Sequence, residues 1–112
     1  MKRTKDFAVR VIRLYCALPK TTEAQVIGRQ VLRSGTSVGA NVREGKRSRS
    51  DAELVSKAET ALQELDETAY WLELLTESGI VKAERLASLI KETDELMAIL
   101  VAGVKTIKRR KH

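Results

Sequence analysis

Four arginines carry the spacing in this chain best suited to a binding chemistry. Wound at about 100° per residue, Arg33, Arg43 and Arg47 all fall within about 40° of Arg29. Thr36 and Ala40 complete the same narrow stripe, and Ile27, Val31, Val38 and Val42 lie on the opposite face. A helix of this kind packs a core with one face and offers guanidinium groups with the other. Planar guanidinium forks suit phosphates and carboxylates. The plain alternative is a solvated charged face. No catalytic set competes with these arginines. The single cysteine is Cys16 and the single histidine is His112, so neither a nucleophile–base pair nor a zinc ligand set can be assembled. No catalytic residue, metal or cofactor is expected, and the chain reads as non-enzymatic.

The charge map favours a polyanion. Residues 1–50 hold twelve Lys/Arg against three Asp/Glu, a net of +9. Residues 51–104 hold four against twelve, a net of −8, and residues 105–112 hold five and none. Basic surface attracts nucleic acid, and blocks of opposite sign also pair with each other within or between subunits. The terminal run contributes Lys108, Arg109 and Arg110 to the candidate nucleic-acid-binding residues. Cations there also complement the negative end of a helix dipole. Aromatic residues are 4% of the chain, too few for a stacking platform, and no helix-turn-helix spacing stands out. Binding to RNA or DNA would therefore be directed at the backbone, with little sequence preference.

The elements that must position these side chains are helices. No alternating strand pattern is sustained, and the punctuation divides residues 1–112 into one domain of four helices at about 5–18, 23–47, 51–78 and 83–108. Thr4 is placed as the cap of the first and Pro19 as its stop. Thr22 and Gln25, and then Ser50 and Glu53, have capping-box spacing. Gly79 occupies the place of a left-handed C-terminal cap. The expected inner stripes are Phe7, Val11, Leu14 and Leu18 in the first helix and Leu54, Ala58, Leu62, Leu65, Ala69 and Leu72 in the third. In the fourth they are Leu86, Ile90, Met97, Leu100, Val104 and Ile107. Short loops make neighbours antiparallel, an up-down-up-down bundle.

Three features of this bundle ask for a reason. Gly28, Gly35 and Gly39 share one flank of the second helix, where each costs roughly 1 kcal/mol against alanine. They fit close packing against another helix of the bundle or against a second subunit. A phosphate loop fits poorly, because no GxxxxGK[ST] or GxGxxG spacing follows a strand. Gln30, Ser37, Asn41 and Glu44 form a polar seam expected to set helix register. Trp71 and Leu74, with Tyr70 beside them, lie on the far side of the third helix from its expected core face and are the candidate oligomer interface.

No run approaches the ~18 apolar residues of a membrane span, so no membrane association is expected. One cysteine and a basic start interrupted by Asp6 and Arg10 fit a cytoplasmic address without a signal peptide.

The run Arg33-Ser34-Gly35-Thr36-Ser37-Val38-Gly39-Ala40-Asn41-Val42-Arg43-Glu44-Gly45, then Arg47-Ser48-Arg49-Ser50-Asp51-Ala52-Glu53, resembles the bacterial intervening-sequence proteins of large-subunit ribosomal RNA genes, also labelled S23 ribosomal protein. Glu67-Thr68-Ala69-Tyr70-Trp71-Leu72-Glu73-Leu74-Leu75 and Ser78-Gly79 match as well. The resemblance spans nearly the whole chain. At Gly39 many relatives carry proline, so helix geometry there is expected to differ from theirs. The resemblance implies a four-helix bundle assembled into a ring of five. It also implies kinship with the accessory variability determinant of diversity-generating retroelements, a basic pentameric barrel that binds nucleic acid and its reverse transcriptase. It supplies no catalytic residues. Two functions follow as expectations: a homo-oligomer binding RNA or DNA backbone, or a scaffold for an unidentified protein partner.

Overall fold

Thr21, Ser50 and Gly79 set three of the helix boundaries. The computed structural model describes residues 1–110, and Lys111 and His112, the end of the basic tail, lie outside them. The helices are α1 (Lys2–Ala17), α2 (Thr22–Lys46), α3 (Asp51–Glu77) and α4 (Ala83–Arg109), with no strand among the described residues. Leu18 is forced into extended backbone ahead of Pro19 and ends α1. Ser50 Oγ accepts from Glu53 N–H at 3.1 Å, and Glu53 Oε2 accepts from Arg49 N–H at 3.4 Å. Gly79 turns the chain at φ +77, a conformation that costs glycine nothing.

Two expected caps fall elsewhere. Thr4 lies inside α1, buried, with its hydroxyl donating to Met1 O at 2.8 Å. The cap of α2 is Thr21, whose Oγ1 accepts from Ala24 N–H at 3.4 Å. Gln25 instead ties the α1–α2 turn, donating to Pro19 O at 2.9 Å and accepting from Tyr15 Oη at 3.0 Å.

Each helix packs on its chain neighbour and α1 closes on α4, giving an antiparallel four-helix rod of 51 × 20 × 20 Å. The core runs through Phe7, Val11, Val31, Val38, Leu65, Leu72 and Leu96. The buried stripe of α3 is Ala61, Leu65, Thr68, Leu72 and Leu75, turned by about 50° from the expected one at the α-helical repeat. That of α4 runs through Leu86, Leu89, Thr93, Leu96 and Val104, while Ile90, Met97 and Leu100 flank it. Leu14 in α1 and Ile27 in α2 are likewise only partly buried.

Buried hydroxyls account for the rotation. Thr68 and Thr93 satisfy themselves on the carbonyls of Glu64 and Leu89, each at 2.8 Å. Ser34 meets Thr68 at 2.7 Å across the α2–α3 seam. Because Thr68 donates to its own helix, Ser34 is the donor in this contact. A paired buried hydroxyl fixes the register of two helices whose apolar contacts alone would tolerate sliding.

The glycine flank of α2 faces α1. A Cβ on Gly35 would sit 2.8 and 2.9 Å from the Cγ atoms of Val11, and one on Gly28 would sit 2.5 Å from Leu18 Cδ1. At Gly39 the nearest atom would be Thr4 O at 3.4 Å. The α1–α4 seam is polar by contrast. Arg3 Nη2 donates to Glu92 Oε1 at 2.6 Å and to Glu95 Oε1 at 3.1 Å, and Arg10 donates to Ser88 Oγ at 2.9 Å. This paired guanidinium holds the Glu92 carboxyl below its ordinary 4.5, against the opposing effect of burial.

Candidate nucleic-acid interface

The arginine stripe of α2 is divided in two by its surroundings. Arg33 is engaged with the acidic third helix: Nη1 donates to Glu64 Oε2 at 3.2 Å, Nη2 to Glu67 Oε1 at 2.7 Å, and Nε to Gln30 Oε1 at 3.2 Å. It therefore ties α2 to α3 while remaining about half exposed. Arg29, Arg43 and Arg47 are exposed and have no ion-pair partner among the described residues. Arg29 stands about 21 Å along the helix from Arg43.

Topology gathers the remaining cations. Antiparallel packing brings the start of α1, the end of α2 and the end of α4 to the same tip of the rod. Met1, Lys2, Lys5 and Arg43 line a common cavity of about 560 Å³ between α1 and α2. Contact with Lys46, then burial, and last the charges of Lys46 and Arg43 hold the Met1 amino group below its ordinary value. Arg47, Arg49 and Arg109 project nearby, exposed. Lys108 and Arg110 reach Glu59 at 3.4 Å and Asp51 at 3.6 Å in α3, and all four of these side chains remain largely exposed, so the pairs are weak. The sequence places basic residues in separate blocks. Their convergence on one pole, including Lys46 and Arg49, becomes visible only once the helix directions are known.

The polar seam works locally. Ser37 and Asn41 bond back to the carbonyls of Arg33 and Ser37 at 2.8 and 3.0 Å, while Glu44 pairs with Lys57 of α3 at 3.1 Å.

The candidate oligomer residues do not form one outer face. Trp71 packs against the core with its Nε1 enclosed and unpartnered, since the rotated stripe draws it inward. Its ring meets Tyr70 edge-on at 5.1 Å. Tyr70 is 54% exposed and Leu74 half-buried.

Among the described residues no group of His, Cys, Asp and Glu is arranged to hold a metal, and no helix is long and apolar enough to cross a membrane. No curated protein matches the chain. A solved structure does: a protein of unknown function from the S23 ribosomal protein family of Bacteroides thetaiotaomicron, with a TM-score of 0.88 and 38% identity, the match covering 93% of each chain. Residues 1–102, all of α1 to α3 and most of α4, match the model of one family, and the chain belongs to the 23S rRNA-intervening sequence protein family.

Proposed function

We propose that this protein is a non-enzymatic, homo-oligomeric bundle that binds the phosphate backbone of RNA or DNA with little sequence preference. The observation that carries this reading is the basic pole, where cations from three helix ends meet and Arg43, Arg47, Arg49 and Arg109 lack carboxylate partners among the described residues. Phosphates neutralise such a cluster and release counterions, which provides affinity without reading bases. The pole presents no stacking aromatic; the exposed Tyr70 belongs to α3, well down the rod. A ring of five, as implied by the family resemblance, would repeat the pole around an axis and multiply its charge.

The test is polynucleotide binding across a salt titration, on a sample whose mass is measured by light scattering. Engagement of ~4 phosphates per subunit gives a slope of log affinity against log salt near −3 to −4. Arg43→Glu combined with Arg47→Glu is expected to weaken all sequences about equally and to flatten the slope. Arg29→Glu, remote from the pole, is expected to leave binding nearly unchanged. Absence of binding at ~50 mM salt, or equal sensitivity to Arg29→Glu, overturns the reading. A mass of 12.5 kDa at working concentration removes the oligomer from it.

A further inference from the structure

Two helices that never touch inside the bundle carry outer faces of opposite charge. α1 and α3 each pack on α2 and α4 and make no contact with one another, so they stand at diagonal corners and their outer faces point apart. On α1, Lys5, Val9, Ile12 and Cys16 follow the i, i+4, i+7, i+11 spacing of one helical face. All four are exposed, Val9 at 38% and Ile12 at 44%. Arg13 adjoins Ile12, and neither Lys5 nor Arg13 has an ion-pair partner among the described residues. The single acid of α1, Asp6, is already paired with Lys2 at 3.1 Å. On α3, the outer face holds Asp66, Tyr70, Glu73, Leu74 and Glu77, at offsets of three and four residues. Tyr70 is 54% exposed, and Asp66, Glu73 and Glu77 are exposed carboxylates without an ion-pair partner among the described residues. Residues 66–77 contain no Lys or Arg. Trp71 is drawn inward against the core and takes no part in this face.

We infer that the α1 face of one copy docks on the α3 face of the next, a heterologous contact between copies of this chain. The contact rests on the homo-oligomer proposed above and identifies its two surfaces. Length agrees: residues 5–16 and residues 66–77 each span about 16 Å of helix. Chemistry agrees as well. Each face sets apolar side chains among charges, cations on α1 and carboxylates on α3. Burial of Val9, Ile12, Tyr70 and Leu74 therefore comes with opposite charges at the rim. A twofold dimer fails on the same chemistry. It sets like face on like face, which brings cations against cations or carboxylates against carboxylates. Diagonal placement then decides the mode of assembly. Each subunit offers α1 to one neighbour and α3 to the other, so no two copies satisfy both faces of each other. The contact propagates from copy to copy, as a ring when the rotation closes.

The experiment uses the full chain and reads mass by light scattering at one fixed concentration. Ile12→Glu with Arg13→Glu turns the α1 face acidic. Asp66→Lys with Glu73→Lys turns the α3 face basic. All four positions are exposed, so each double variant is expected to keep its helix content while its mass falls to 12.5 kDa. An equimolar mixture of the two is expected to reassemble to at least about twice that mass, because the native α3 face of the first still meets the native α1 face of the second. Tyr70→Ser changes no charge and is expected to raise the concentration of half-assembly by at least about tenfold. It decides the matter if a double variant loses its helix content. An unchanged mass in either double variant, a mixture that stays monomeric, or assembly indifferent to Tyr70→Ser overturns the pairing of these faces. A parent chain of 12.5 kDa overturns it together with the oligomer, whereas the basic pole is judged separately by Arg43→Glu with Arg47→Glu. Binding of such a monomer to phosphatidylglycerol vesicles, lost in Ile12→Glu with Arg13→Glu, gives the α1 face to a lipid surface instead.

Discussion

Gly35 and Gly103 both stand inside long helices, and they occupy opposite kinds of place. Gly35 is buried under Val11 of α1, where even one added carbon would lie 2.8 Å from a methyl group. Gly103 faces open space. Intrinsic propensity treats the two alike, as a loss of roughly 1 kcal/mol against alanine. The loss at Gly35 is offset by the close approach of a helix. The loss at Gly103 is offset by no contact within the chain. A glycine inside a helix thus reports only that a side chain is absent, and the neighbouring helix determines whether that absence is used.

The largest effect is expected from Gly35→Leu. Val11 is β-branched and cannot swing its methyl groups away, so the added side chain pushes α1 off α2. Overpacking of this kind costs ~1–3 kcal/mol or more, which outweighs the ~1 kcal/mol gained in propensity. A fall of about 10 °C in the thermal transition is expected; a rise would place α1 further from Gly35 than described. Gly103→Ala is expected to act in the opposite direction, raising stability by about 0.5–1 kcal/mol, or a few degrees. Destabilisation there would mean that Gly103 is already covered by another copy in solution.

A smaller effect concerns the other side of α1. Glu92 is held below 4.5 by Arg3, so its contribution is present above the unfolded value and is lost as pH falls through the lowered folded value. The wild-type protein and Glu92→Gln are expected to differ in thermal stability near neutral pH and to converge in acid below the ordinary carboxylate range. Gly35 meets only Val11, which does not titrate, so Gly35→Leu is expected to show the same deficit at both ends of that scale. A pH-independent difference for Glu92→Gln would show that the α1–α4 seam is held by packing rather than by charge.

The helix ends were legible where chemistry is local. Pro19 stops α1, Ser50 caps α3 and Gly79 adopts the left-handed turn, because each acts within a few residues of itself. The faces were less legible. Ser34, Thr68 and Thr93 are fully buried, yet periodicity counts a hydroxyl as outward and so shifts the stripes of α3 and α4. A buried hydroxyl that bonds the carbonyl four residues back is invisible to any pattern of apolar residues. The stripe of Arg29, Arg33, Arg43 and Arg47 was legible as a stripe. That Arg33 is bound by Glu64 and Glu67 was not, since these partners are 31 and 34 positions away. The basic pole depends on helix direction, which no local pattern contains.

The order of neighbours also sets a schedule for assembly. Successive helices pack on one another, so nearly every junction can form by local search, the regime of rapid folding. The α2–α3 hairpin, with its Ser34–Thr68 hydroxyl pair and the Arg33 tie, is the self-sufficient half. The junction of Arg3 with Glu92 spans 89 positions and closes a loop around the whole chain, so it forms last and opens first. Native-state hydrogen exchange should therefore find the amides of α1 released by a partial opening that leaves α2 and α3 protected. The bundle then behaves as a three-helix platform with a detachable stave.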